Sequence, residues 1–284
     1  MHIAWHDVAF DVPDHWEVTR YSIASEIGRI EFAGREGALG VLSWETCTRP
    51  PDEERILTEH HRRYLKQHDK EAFQRFTSIK TLRAGTFLAG CPANGEPCQA
   101  VAHLERQSKV IMWMFPAFSM GTFEHLWRPI LESLRPNDGA WRAWSMFGIR
   151  CQLPRDFELD EAACKPADAW LAFERKNLHK VDLHRWGVPR ELLRGRDIEA
   201  FFRNVVRGHD GRVLDSCREP FRGMDSVTVS TEVRGTHGMD RLYGSRWHGA
   251  GRIWHDMVEK RLYAWVQAAP RKVDLLDEQE LLLP

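Results

Sequence analysis

Histidines, cysteines and carboxylates at short spacings are where chemistry would sit in this chain. His60 and His61 are adjacent in a segment of helical periodicity. Successive helical residues point ~100° apart, so this pair does not chelate one ion, which needs i and i+4 spacing. The pattern places His60 on the apolar stripe and His61 beside Arg62 and Arg63 on the wet face. His248 and the pair His255-Asp256 form a second grouping, in which a His–carboxylate pair would move a proton. Residues seven apart on an unbroken strand face opposite sides, so convergence requires Gly249 and Gly251 to turn the chain. Cys98 and His103 are the residue types of a nucleophile and its base, but odd spacing on one strand separates them too. Cys91 and Cys98 bracket a turn-rich loop and are read as two unrelated thiols.

Phosphate-cradling and metal motifs are missing. Gly34, Gly37 and Gly40 recur every three residues, but Glu36 intrudes and no P-loop lysine follows. There is no nucleophile elbow, no HExxH and no calcium loop. Arg185, Arg190, Arg194 and Arg196, with Trp186 and Pro189 among them, make one locally basic run. Such a run suits an acidic partner or a single nucleic-acid strand, and is otherwise a solvated loop. Catalytic and binding residues are therefore left unassigned, and neither a metal nor a cofactor is expected.

Composition narrows the classes further. A chain of 284 residues suggests two ordinary domains or one large one, and a hydrophobic fraction of 43% is enough to fill a core. Its 40 basic and 41 acidic residues leave a net charge of -1, against the basic excess of a duplex-DNA binder. The N-terminus, Met1 to Asp7, lacks a basic stretch followed by an apolar run, and no segment reaches the ~20 apolar residues of a bilayer span. Six cysteines without CxxC spacing read as reduced thiols, and a cytoplasmic location is expected. Twelve tryptophans belong to cores or to a joint between halves.

The elements that would position these residues occur twice. Ile3 to Val12 ends in Val12-Pro13-Asp14-His15-Trp16-Glu17-Val18, and Trp144 to Cys151 is followed by Leu153-Pro154-Arg155-Asp156-Phe157-Glu158-Leu159. Proline sits naturally where a strand leaves its sheet. Each copy then reads as a hairpin: Gly28–Phe32 with Leu39–Trp44, and Trp170–Arg175 with Val181–Trp186. Phe32 matches Phe173, and Trp44 matches Trp186 after a one-residue insertion. A helix follows each hairpin, carrying Ile56, Leu57, His60 and Tyr64 in the first and Ile198, Phe201, Phe202, Val205 and Val206 in the second. Three strands come next: Phe76–Leu82, Gln99–Glu105 and Lys109–Pro116, then Ser226–Val233, Gly238–His248 and Gly251–Ala268. A closing helix capped by Thr122 runs to Leu134, its counterpart being Asp274–Leu283. The boundary falls in Arg135–Gly139, giving units 1–137 and 138–284.

The Pro-x-x-aromatic-Glu-apolar turn, carried by Pro13 to Val18 and Pro154 to Leu159, resembles the PsbP-like α/β/α sandwich family. The resemblance spans both halves and implies two tandem copies of an α+β unit, each an antiparallel β-sheet flanked by α-helices. It also implies a binding or assembly role. The leading expectation is a non-catalytic module with an unidentified protein partner, without duplex nucleic acid or membrane. The alternative is a small-molecule or metal-dependent hydrolase using the His248/His255/Asp256 region.

Overall fold

Pro13 and Pro154 each close a tight turn. The Pro13 carbonyl accepts from the Trp16 amide at 3.1 Å, and the Pro154 carbonyl from the Phe157 amide at 3.0 Å. With φ fixed by the ring, the chain reverses and both aromatics fold under a sheet, where they are buried. This computed structural model describes residues 1–35, 37–75, 80–91, 99–115, 122–165, 167–176, 179–209, 211–234 and 246–281.

The chain divides into two compact units, Met1–Arg142 and Ala143–Pro284. Asn137 donates its amide to the Asp7 carbonyl at 2.8 Å and its Nδ2 to the His6 carbonyl at 2.9 Å. The chain beyond Pro136 is thus still tied to the first unit. That unit contains strands β1 (His2–Trp5), β2 (Val8–Asp11), β3 (Glu17–Tyr21), β4 (Ile27–Gly34) and β5 (Gly37–Thr46). Helices α1 (Glu53–His68) and α2 (Lys70–Arg75) follow, then β6 (Lys80–Ala84), β7 (Phe87–Cys91), β8 (Gln99–Leu104) and β9 (Lys109–Met114). A π turn, Phe123–Trp127, leads into α3 (Arg128–Glu132) and the short β10 (Arg135–Pro136). The second stretch runs β11 (Trp141–Met146), β12 (Ile149–Pro154), β13 (Glu158–Lys165), β14 (Asp168–Arg175) and β15 (His179–Trp186). Helices α4 (Pro189–Leu193) and α5 (Ile198–Gly208) precede β16 (Gly211–Arg218), β17 (Ser226–Arg234), β18 (Arg246–Asp256) and β19 (Arg261–Ala269), and α6 (Glu278–Leu281) comes last.

Each unit is built on a seven-stranded antiparallel sheet. The orders are β3-β4-β5-β9-β8-β7-β6 and β13-β14-β15-β19-β18-β17-β16, the same order when each sheet is counted from its first strand. Pairing shifts by one residue between Val18 and Arg20 in β3, between Leu159 and Glu161 in β13, and between Val213 and Asp215 in β16. In the first unit Phe10, Phe32, Trp113, Phe115 and Trp127 form a buried aromatic run, with Phe10 and Trp113 centroids 5.1 Å apart and Phe115 and Trp127 at 4.2 Å. In the second, Phe202 and Val206 of α5 pack on Val227, Val229, Ile253, Leu262 and Val266.

The expected helix-flanked α+β architecture is overturned: the protein is mostly β. Among the described helices only α1 and α5, with 16 and 11 residues, exceed six. The closing helix of the first unit is a π turn followed by five residues, and Thr122 is itself helical and gives no capping bond. Of the expected helix Asp274–Leu283, the described residues, which end at Leu281, hold the end of a 3-10 turn and the four residues of α6. Strands β3, β7, β13 and β16 were hidden in the sequence; β3, β13 and β16 are edge strands with mostly exposed side chains, so they carry no apolar alternation. The expected break between Gly238–His248 and Gly251–Ala268 is misplaced, because β18 runs unbroken from Arg246 to Asp256 and β19 begins at Arg261.

Ile3–Val12 and Trp144–Cys151, read as single strands, are hairpins that turn at His6 (φ 53°) and at Phe147 and Gly148 (φ 57° and 74°). Gly249 and Gly251 do not turn the chain but lie within β18. A Cβ at Gly251 would come 3.1 Å from the Phe202 ring, so these glycines admit close packing. The pairing of Trp44 with Trp186 also fails. Gly28 opposes Trp44 where Ala169 opposes Arg185, so Trp186 is one residue further on and faces α5, while Trp44 meets the His6 ring at 5.7 Å.

Candidate functional site

Strand β9 lies in the middle of the first sheet, and its two faces are covered unequally. Ile111 and Trp113 are fully buried on one face, while Val110, Met112 and Met114 on the other are only half-buried. The second face is the one that α1 covers. Leu57 of α1 packs on Leu88 of β7 and Val101 of β8, so the helix lies over those strands and leaves β4, β5 and β9 partly bare. The result is a groove of about 490 Å³. Its floor is Val110 and Met112 with Ser43 of β5 beside them, and Ile27 and Ile56 close two sides.

Local sequence explains where α1 begins and which face it buries. The Asp52 carboxylate accepts the Arg55 amide at 3.0 Å and caps the helix. Glu53 and Glu54 occupy the first turn and Lys66 and His68 the last, each favourable to the helix dipole. Leu57, His61 and Leu65, four residues apart, are the buried stripe. The expected facing of the histidine pair is therefore reversed: His61 is buried, and His60, with Ile56, Glu59 and Arg63, lines the groove. Burial holds His60 below the usual imidazole range, with the Arg63 charge acting in the same direction. Its Nδ1 meets the Gln99 side-chain amide. At the rim Glu59 accepts from Arg55 at 2.9 Å and lies 3.9 Å from Arg63. A floor of Val110 and Met112, an imidazole whose charged form burial disfavours and a rim of both signs suit an apolar group flanked by polar ones.

A smaller hollow of about 290 Å³ lies on the α5 side of the second sheet. Period-2 geometry turns Lys180, Asp182, His184 and Trp186 of β15 to that face. His209, which ends α5, places Nδ1 3.2 Å from the Asp182 carboxylate. His184 stacks on Trp186 with centroids 5.0 Å apart and meets the edge of His209 at 5.4 Å. Burial pushes the His184 imidazole down to about 4, so it is neutral and packs as an aromatic. Asp182, His184 and His209 were missed in the sequence. The available signal was the alternation Asp182-His184-Trp186, visible only once β15 is aligned with α5.

The residues that the sequence singled out are scattered. His248 and His255 stand at opposite ends of unbroken β18, on opposite faces, and form no site. Asp256 instead accepts the Val258 and Glu259 amides, each at 2.8 Å, and shapes the turn into β19. His103 is half-buried on β8, and Cys98 lies outside the described residues. Trp186 is buried against Phe201, so it offers no stacking platform for a base, and Arg196 donates to the Leu192 and Leu193 carbonyls. Cys47, Cys151, Cys164 and Cys217 are free thiols. Among the described residues no group of three His, Cys, Asp or Glu side chains is placed to hold a metal ion, and no helix is long and apolar enough to cross a membrane.

The sequence matches no protein-family description and no curated protein. Among solved structures it is similar to the apo immunity protein TplEi of the T6SS from Pseudomonas aeruginosa, at 9% identity and a TM-score of 0.30, covering 99% of this chain and 92% of that one. A second similarity is to intact Ap-TbpB with its N and C lobes, at 8% identity and a TM-score of 0.14, covering 92% and 66%. Scores this low do not establish a common fold.

Proposed function

We propose that this protein is a non-catalytic binding module whose groove beside α1 receives an apolar side chain of a protein partner. The observation that carries this reading is the half-covered row Val110, Met112 and Met114 on the central strand of the first sheet. Apolar groups at the middle of a sheet are normally covered, and a floor of this kind ringed by Glu59 and Arg63 has the core-and-rim pattern of a protein interface. The free thiols among the described residues, Cys47, Cys151, Cys164 and Cys217, fit a reducing compartment, which supports action in the cytoplasm. The shared strand order and the two Pro-aromatic turns support descent of both units from one ancestral unit. The hydrolase reading gains no support, because His248 and His255 do not converge.

Affinity capture of the tagged full chain, with Met112→Lys and Lys66→Ala beside it, tests the proposal. The expected result is a stoichiometric partner that Met112→Lys loses and Lys66→Ala keeps. A partner retained by both variants would remove the groove from the interface, and no partner with either would count against the module itself.

A further inference from the structure

The hairpin tips of the two units meet opposite electrostatic treatment. In the first, Asp7 at the tip of β1–β2 is a buried acid held by two cations. Lys109 Nζ contacts one carboxylate oxygen and Arg142 reaches the other at 3.2 Å. The Lys109 ammonium also donates to the Ser25 carbonyl at 2.6 Å. In the second, the tip of β11–β12 is Phe147-Gly148, and no carboxylate stands there.

The cations are nevertheless present. Arg261 opens β19 as Lys109 opens β9, and these strands hold the same place in the two sheet orders. Pairing in register brings Arg185 of β15 opposite Tyr263, two residues along from Arg261 on the same face. A Cβ built on Gly148 would lie 3.3 Å from the Arg185 guanidinium and 3.3 Å from that of Arg261. Two guanidinium groups thus flank the space where a side chain at 148 would project, and Gly148 itself is exposed, so that space opens to solvent.

Among the described residues no ion pair links one carboxylate to both arginines as Asp7 links its own two cations, although Glu259 and Asp168 act on Arg185 through their charge. Arg261 is 3.5 Å from Glu259, a carboxylate already engaged by the Tyr263 hydroxyl. Arg185 Nε is buried without a hydrogen-bond partner, and so is Oδ1 of nearby Asp168. Burial, reinforced by the Arg261 charge, pulls the Arg185 guanidinium below its ordinary range.

We infer that Arg185 and Arg261 form a binding site for one carboxylate group, which takes at Gly148 the place that Asp7 fills in the first unit. Two guanidinium forks offer more donors than one carboxylate can use, and charge-assisted bonds of this kind are the strong ones. The carboxylate comes either from a free small acid or from an aspartate or glutamate side chain of a partner.

The full-length chain labelled with ¹⁵N-arginine provides the test, because the buried Arg185 Nε–H gives a protected resonance. Acetate is titrated against chloride at matched ionic strength, and N-acetyl-aspartate methylamide serves as the side-chain probe. The expected result is a saturable shift of the Arg185 resonance with acetate, with Arg185→Lys weakening binding roughly tenfold through loss of the fork. Tighter binding of the blocked aspartate would identify a protein side chain as the source, and tighter acetate a free acid; either supports the site. Gly148→Asp and Gly148→Asn share the strain of a side chain at φ 74° and differ in charge. The aspartate variant is expected to melt higher at low salt and to lose the acetate response, which the asparagine variant keeps. An acetate shift no larger than that of chloride, or an equal response in both variants, would overturn the inference.

Discussion

Asp7, Lys109 and Arg142 show how much a single side chain can decide. The Asp7 and Lys109 side chains are 10% and 7% exposed, so their charges depend on each other rather than on water. Asp7→Ala would strand two cations and is expected to cost ~3–5 kcal/mol in urea unfolding, the range for breaking a buried pair. Lys109→Met should cost less, because Arg142 stays 3.2 Å from Asp7. The buried histidines set the acid response. His6, His179 and His184 are each pushed down from 6.5 to about 4, chiefly by burial, so the unfolded chain binds more protons between those values. Stability is therefore full above pH 6.5 and falls as pH drops toward about 4. His184→Phe keeps the stacking on Trp186 and should flatten the dependence of unfolding free energy on pH by up to one proton. An unchanged slope would show that His184 is not buried neutral. None of this was legible in the sequence: the packing that desolvates His6 and His184 comes from elements distant along the chain.

At the scale of elements, the two longest helices differ in how they are held. α1 depends on its start, and Asp52→Ala is expected to cost ~1 kcal/mol in thermal unfolding through loss of the cap. α5 depends on its buried face, and Phe202→Ala is expected to cost ~3–5 kcal/mol by leaving a cavity over Ile253 and Val266. Both helices were legible, because Pro51-Asp52 and the Phe201/Phe202/Val205/Val206 spacing are local signals. The hairpins β4–β5 and β14–β15 were legible for the same reason. Strands β3 and β13 were not, since an edge strand exposes most of its side chains and needs no apolar period. The groove was invisible from sequence: it arises because α1 sits over β7 and β8, a docking choice that no local pattern encodes.

For the whole molecule, the middle strands set the order in which structure opens. β9 and β19 are flanked by three strands on either side, so native-state hydrogen exchange should be slowest there and fastest in β3, β6, β13 and β16. Equal protection from centre to edge would contradict the two sheet orders. Those outer strands carry a further meaning. An open sheet ends in unpaired amides and carbonyls, which invite a strand from another chain. Three of the four outermost strands, β3, β13 and β16, carry an extra residue that breaks the regular spacing of those groups, with Arg20, Glu161 or Asp215 beside the break. A neighbouring chain would find no continuous ladder there on which to grow. β6 has no such interruption in its pairing with β7, so if crowded copies of this protein ever begin to polymerise, Lys80–Ala84 is the seam along which they would do so.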